Sequence, residues 1–208
     1  MSSDNDNDTG TGTGTGNPAS TTRDVDAPSR RVAVLLGPDF EDSEFETPRT
    51  TLMQLGHRVD VIGREAGEDL QGKRRIVTAT PQYAAGDVDP DDYDLVLVPG
   101  GYSPDRLRLD DDVIRFLRGA AASGTPIAAI CHAGSLLIEA GLVEGRRVTS
   151  WPSIRTDLEN AGAHWVDDDV VFDDVLITSR SPDDLPAFVE AIVAALGDSA
   201  RSEDDAGG

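Results

Sequence analysis

Ala128-Ala129-Ile130-Cys131-His132-Ala133-Gly134-Ser135 is the stretch on which the reading of this chain turns. The apolar run Ile127 to Ile130 ends in the only cysteine of 208 residues. From about Ala133 onward the residues suit a helix. A strand that turns sharply into a helix pushes the turn residue out of the sheet and aims helix N–H groups at it. A helix N-terminus favours a thiolate, and a neighbouring histidine can take or balance its proton. A free cysteine is also among the most buried residue types and often acts as a small apolar group. The segment alone leaves both readings open.

Outward from this elbow the chain alternates between strands and helices. Strands are expected at Arg31–Gly37, Arg58–Ile62, Tyr93–Val98, Ile127–Ile130 and Arg147–Ser150, with a hairpin formed by Val170–Phe172 and Val175–Thr178. Helices are expected from about Ser43 to Leu55, Asp111 to Ser123, Ala133 to about Gly141, Ser153 to Ala161 and Leu185 to Leu196. Leu70 to Tyr83 reads as a short hairpin-like excursion. Continuous apolar strands separated by helices imply an α/β three-layer sandwich, with a mainly parallel central sheet covered on both faces. In such a sheet ligands sit beyond the carboxyl ends of strands. Glu41, Gly100-Gly101 and Cys131 all follow strand ends and can converge there.

Composition bounds the rest. Residues 1–29 are Ser, Thr, Asp, Gly and Pro with little apolar content, and 198–208 are similar, so both are expected to be disordered. Residues 30–197 form one domain with enough apolar content for a sizeable core. One cysteine excludes an internal disulfide and a Cys-based zinc site, and His57, His132 and His164 are scattered, so no metal and no cofactor are expected. No run of 18 apolar residues is present, and the N-terminal segment lacks the apolar stretch of a secretory signal, which points to a cytoplasmic, membrane-free protein.

Asp and Glu number 39 against 18 Lys and Arg, for a net charge of −21; Lys73 is the only lysine. An acidic surface nearly free of lysine suggests adaptation to high salt, although a GC-rich genome gives a similar bias. With no basic patch, nucleic acid is not an expected partner. The acid runs at Asp110–Asp112, Asp167–Asp169 and Asp183-Asp184 read as solvated surface.

Three segments supply the chemistry for one site. Cys131 is the candidate nucleophile. Pro99-Gly100-Gly101 lets bare backbone approach a ligand, with N–H groups that could hold an oxyanion. Phe40-Glu41-Asp42-Ser43-Glu44 opens the first helix, and a carboxyl group set against Cys131 would hydrogen-bond the sulfur when protonated or repel it when ionised. Glu41 is the better candidate for that role, although an acid at a helix start has an ordinary use with the helix dipole, as Asp42 and Glu44 do. Trp151 and Pro152 read as packing residues or as a pocket rim. Arg180 reads as a partner for a substrate carboxylate or an interface acid. His57 and His164 read as structural.

These residues resemble the DJ-1/PfpI superfamily, and within it the PfpI-type intracellular proteases and deglycases, whose fold is flavodoxin-like and similar to class I glutamine amidotransferases. The resemblance covers about Arg31 to Leu196. It rests on Phe40-Glu41-Asp42, Leu97-Val98-Pro99-Gly100-Gly101, Ala129-Ile130-Cys131-His132, Thr149-Ser150-Trp151-Pro152, Ala161-Gly162 with Trp165-Val166-Asp167, and Thr178-Ser179-Arg180, in that order.

The resemblance implies roles for individual residues. Cys131 is the nucleophile, His132 its partner, and Glu41 the acid against the sulfur. Gly101 and His132 are the oxyanion N–H donors, beside Gly100. Asp105 occupies the position from which a neighbouring subunit's acid orients the histidine, which implies a dimer or hexamer. Asp105 departs from the glutamate usual there, and Ala133-Gly134 from Gly-Pro, so Ala133 should place a methyl beside the oxyanion hole. No His-x-Glu motif follows Cys131, which argues against glutaminase activity. The implied substrates are small aldehydes such as methylglyoxal and glyoxal, their glycated protein adducts, or peptides. A non-enzymatic alternative is an oxidative-stress sensor or chaperone acting through Cys131 oxidation.

Overall fold

The computed structural model describes residues 29–204. The disorder expected of 1–29 and 198–208 therefore concerns residues that, except for Ser29 and 198–204, lie outside those described. In chain order the elements are β1 (Arg31–Leu35), α1 (Asp42–Gln54), β2 (Arg58–Gly63), β3 (Leu70–Gln71), β4 (Thr78–Ala79), β5 (Tyr83–Ala84) and β6 (Leu95–Val98). There follow α2 (Ser103–Leu107), α3 (Asp111–Ala122), β7 (Ile127–Ile130), α4 (Gly134–Glu139), β8 (Arg147–Val148) and α5 (Arg155–Asn160). The chain closes with β9 (His164–Trp165), β10 (Val170–Asp173), β11 (Leu176–Ser179) and α6 (Leu185–Asp204).

Seven strands form the central sheet in the order β10-β11-β7-β6-β1-β2-β5. Every neighbouring pair is parallel except β10–β11. Side chains alternate across a strand, so each strand feeds two cores. Val32 and Val34 pack with Phe45 and Leu52 of α1 and with Phe188, Ile192 and Leu196 of α6. Ala33 and Leu35 face the other side, with Val113, Phe116 and Leu117 of α3 and Leu136 and Leu137 of α4. This is the three-layer sandwich that the sequence pattern implied, with the flavodoxin-like order that the family resemblance implied.

The strand order makes β1 the topological switch point, since the chain adds β2 on one side of it and β6 on the other. The loops after β1, β6 and β7 therefore meet at one end of the sheet. An isolated antiparallel bridge between Phe40 and Gly101 ties the first two together.

Several elements differ from the sequence expectation. Leu70 to Tyr83 holds the antiparallel pair β3–β4, the expected hairpin-like excursion, but its end at β5 joins the edge of the main sheet beside β2. Arg147–Val148 pairs with β9 in a small separate sheet, not the central one. The short helix α2, with Pro104 in its first turn, is an addition to the expected elements. Helix α6 runs past residue 197 to Asp204.

Phe188 is fully buried between α6 and the sheet, whereas Phe172 is 61% exposed. Phe188→Ala should lower stability by about 3–5 kcal/mol in urea denaturation, and Phe172→Ala should stay within about 0.5 kcal/mol of the wild type. Equal losses would contradict this core.

Candidate active site

Strand β7 ends at Ile130 in extended backbone, and Cys131 then turns to φ +64° before the chain enters a 3-10 turn and α4. A non-glycine residue in this left-handed region is uncommon and costs about 1–3 kcal/mol. The surrounding fold holds it: the Trp151 N–H donates to the Cys131 carbonyl at 3.2 Å, and the Ser135 hydroxyl to the His132 carbonyl at 2.9 Å. The strain presents Sγ at the carboxyl end of the sheet while leaving Cys131 buried, at 6% exposure. The backbone N–H groups of His132 and Gly101 are directed at the sulfur and favour its ionised form.

Gly101 can do this because it lacks a Cβ. Its φ is +74°, and an added Cβ would lie 2.5 Å from the Glu41 nitrogen and 2.6 Å from the Asp39 carbonyl oxygen. Gly100 has a different task. Its N–H donates to the Glu44 carboxylate at 2.8 Å, so it is not free for an oxyanion. A Cβ on Gly100 would meet both Glu44 Oε2 at 2.6 Å and Cys131 Cβ at 2.7 Å. Glu44 and Cys131 therefore flank one point.

Glu44, not Glu41, is the carboxyl group against the sulfur. Glu44 is fully buried. It lies in the first turn of α1, where the Cα–Cβ bond tilts back toward the helix N-terminus and hence toward the elbow. Burial above all, with the Glu41 charge adding to it, pushes its carboxyl up to about 7. Its Oε1 is buried without a hydrogen-bond partner, which suits a protonated carboxyl group. Burial likewise pushes the Cys131 thiol up to about 12, with an ionised Glu44 the next cause. A thiolate and a carboxylate this close repel one another, so the pair retains a proton.

Glu41 occupies the N-cap position of α1 without a side-chain cap bond, and turns to Lys73 instead. That ion pair is the reason it misses the sulfur. Lys73 reaches the site because its N–H donates to the Phe40 carbonyl at 2.8 Å. Together with Arg74, Gly101, Tyr102 and His132, it lines an open cleft of about 410 Å³.

His132 Nδ1 lies 3.3 Å from Cys131 Sγ, and Nε2 lies 3.3 Å from the Ser153 hydroxyl. The indole of Trp151 stacks beside the imidazole, with centroids 6.5 Å apart, which makes Trp151 a rim residue. Burial chiefly, and the Lys73 charge in addition, lower the His132 pKa and favour a neutral ring that can accept a proton.

The sequence profile of the DJ-1/PfpI family matches residues 30–195. The chain belongs to the DJ-1/PfpI family. It is 43% identical over 168 residues to general stress protein 18 of Bacillus subtilis (strain 168), covering 80% of this chain and 98% of that protein. It is 43% identical over 170 residues to protein/nucleic acid deglycase 2 of Escherichia coli (strain K12), covering 81% and 99%. Among solved structures, a two-domain Anabaena variabilis protein with DJ-1/ThiJ/PfpI-like and ferritin-like domains superposes with a TM-score of 0.80 at 37% identity. That match covers 81% of this chain and 48% of the two-domain protein, so this chain spans about half its length.

The remaining residues singled out in this DJ-1/PfpI chain lie as follows. Ala133 does not crowd the oxyanion hole, because its side chain is fully buried in the core with Leu136 and Leu137. Asp105 is exposed on α2 and has no hydrogen-bond or ion-pair partner among the described residues. Arg180 is taken up by Asp167, Asp169 and Asp184, so it is not open to a substrate carboxylate. Asp110 is no idle surface acid: it caps α3 by accepting from the Asp112 and Val113 N–H groups and pairs with Arg64. His57 is structural, since Nδ1 accepts from the Arg30 N–H at 3.2 Å. Among the described residues no group of acids, histidines and cysteine could hold a metal ion, and no helix is long and apolar enough to cross a membrane. Sequence reasoning passed over Lys73 and Ser153 as site residues; the singularity of Lys73 was the available signal.

The raised Glu44 pKa has a thermodynamic consequence. Its contribution to stability is fully present below the ordinary value of 4.5 and is lost as pH rises through about 7. Glu44→Gln removes this titration. The stability of the wild type relative to Glu44→Gln should therefore fall by about 3 kcal/mol between pH 4.5 and pH 8 in urea denaturation. A difference that does not vary with pH would mean that Glu44 titrates normally.

Proposed function

We propose that this protein is a cysteine-dependent enzyme that acts on 2-oxoaldehydes such as methylglyoxal, free or as early adducts on amines and thiols, and releases a 2-hydroxy acid. The observation that carries this reading is the Cys131 sulfur, held at the elbow with the Gly101 and His132 N–H groups directed at it and His132 Nδ1 3.3 Å away. The relative named a deglycase supports it. His132, neutral at rest, accepts the thiol proton as Cys131 attacks the aldehyde carbon. An early adduct first expels its amine or thiol, which leaves with the adduct hydroxyl proton as the aldehyde is restored in the cleft; a carbon–sulfur bond to Cys131 then forms, and the carbonyl electron pair moves onto oxygen, where the two N–H groups receive it. The hemithioacetal C–H proton then transfers to the adjacent carbonyl carbon as electrons rearrange, giving a 2-hydroxy thioester. Water hydrolyses that ester, so methylglyoxal and water leave as lactate with no external oxidant. An aldehyde has no amide leaving group to expel, and the cleft is small, which favours this class over peptide bonds.

A second reading rests on Glu44. A carboxyl group raised to about 7 can donate a hydrogen bond to an oxidised sulfur. Hydrogen peroxide, itself reduced to water, would carry Cys131 to the sulfenate and then the sulfinate. The relative named a general stress protein accords with this. The two readings differ at His132, which only the catalytic one requires.

Cys131→Ala should abolish lactate formation from methylglyoxal, and His132→Ala should lower the rate by about 10²–10⁴-fold while leaving Cys131 open to peroxide. Lactate formation that survives Cys131→Ala would remove the mechanism. We propose that Asp105, without a hydrogen-bond or ion-pair partner among the described residues, orients His132 of a second copy. On that assignment a mixture of Asp105→Asn and Cys131→Ala subunits should recover part of the activity after exchange, because some sites then combine an intact Cys131 with an intact Asp105. A fully active monomer on a sizing column would overturn the shared site.

A further inference from the structure

The loop from Gly72 to Val77 is held against α1 more firmly than a surface loop requires. The buried Asp42 carboxylate accepts from the backbone N–H groups of Arg74 at 2.9 Å, Ile76 at 3.0 Å and Val77 at 2.8 Å. Gly72 abuts the same carboxylate so closely that any Cβ there would collide with it. Arg75 is strained at φ +59°. The Lys73 N–H donates to the Phe40 carbonyl, and the Asp39 N–H to the Gln71 carbonyl at 2.8 Å. Burial opposes the charge on Asp42, but the backbone donors outweigh it and hold the carboxyl below its ordinary pKa.

What this clamp presents is positive charge. Lys73, the only lysine of a chain with net charge −21, and Arg74 both line the cleft with Gly101, Tyr102 and His132. Glu41 offsets Lys73, and the Arg74 side chain has no hydrogen-bond or ion-pair partner among the described residues. The Asp42 carboxylate beneath the loop is taken up by backbone N–H groups, so the Arg74 guanidinium faces the mouth of the site without a carboxylate partner among the described residues. An exposed cation on an acidic protein concentrates anions locally. The Lys73 ammonium has further N–H donors beyond the one directed at Glu41.

We infer that Lys73 and Arg74, fixed by the Asp42 clamp, form a carboxylate-binding subsite beside Cys131, so that the preferred substrates are adducts bearing a free carboxylate near the reacting carbonyl. This rests on the aldehyde-adduct reading above and narrows its substrate class. An N-acylated amino acid or a peptide C-terminus carrying the carbonyl on its own side chain fits; a neutral free aldehyde leaves the subsite empty.

Two matched comparisons test it at low and at molar salt. In the first, methylglyoxal is supplied as its hemithioacetal with N-acetylcysteine or with N-acetylcysteinamide, and hydroxy-acid formation is followed. The wild type should favour the carboxylate by about tenfold in kcat/KM, mainly through KM, at low salt, in keeping with one charge-assisted hydrogen bond. The ratio should shrink in molar salt. It should fall toward one in the Lys73→Met/Arg74→Gln double variant and persist in Lys73→Arg.

The second comparison needs no turnover. Cys131 is the sole thiol, so alkylation reports it alone. The rate ratio of iodoacetate to iodoacetamide should be several-fold higher in the wild type than in the double variant, with folding checked by circular dichroism. Unchanged ratios in both comparisons would overturn the subsite. A shifted alkylation ratio with no hydroxy acid from any adduct would keep the subsite and overturn the proposed activity.

Discussion

Glu44 carries a carboxyl group into the interior at the point where three chain segments meet. A buried ionised carboxylate is costly unless its oxygens are satisfied or it takes up a proton. Here Gly100 satisfies one oxygen through its N–H, and protonation suits the other. The arrangement requires a bare backbone at Gly100, because a side chain there would strike both the carboxyl group and Cys131. It also requires that α1 begin where it does, so that its first turn faces the elbow. The Pro99-Gly100-Gly101 turn, the start of α1 and the Cys131 conformation are therefore mutually dependent. None can move without stranding a buried polar group or opening a void beside the sulfur.

The same proton links structure to chemistry. With Glu44 ionised, burial and repulsion together keep the proton on the thiol. With Glu44 protonated, the repulsion vanishes and the Gly101 and His132 N–H groups favour the thiolate against burial alone. His132 completes the circuit as a ring lying between Sγ on one side and Ser153 on the other, with Trp151 alongside. Neutral imidazole carries one N–H, so a donor bond from Nε2 to Ser153 leaves Nδ1 bare to receive the thiol proton.

The layered fold was legible because the strands are apolar throughout and the helices are bounded by acids and glycines. Cys131 and Gly101 were legible for a related reason: each follows a strand end where backbone geometry, not side-chain reach, sets the role. The acid beside the sulfur was not legible in the same way. Glu41 and Glu44 both belong to the opening of α1, and choosing between them needs the direction of each side chain from the helix start. The competing partner was Lys73, more than thirty residues on in a loop whose path depends on Asp42. Gly100 and Ala133 were misassigned on similar grounds, since sequence adjacency to the site does not say whether an N–H or a methyl faces it.

Lys73 is a primary amine at the mouth of a site proposed to receive aldehydes. Free amines condense with aldehydes, and only the unprotonated form does so. The Glu41 carboxylate, whose hydrogen bond is the largest influence, raises the Lys73 pKa above its ordinary value and keeps the nitrogen an ammonium ion. The ion pair thus withholds the nitrogen lone pair from the carbonyl carbon. It leaves Cys131 without a rival nucleophile among the side-chain amines of the chain, so a captured aldehyde is not diverted into a Schiff base on the protein that captured it.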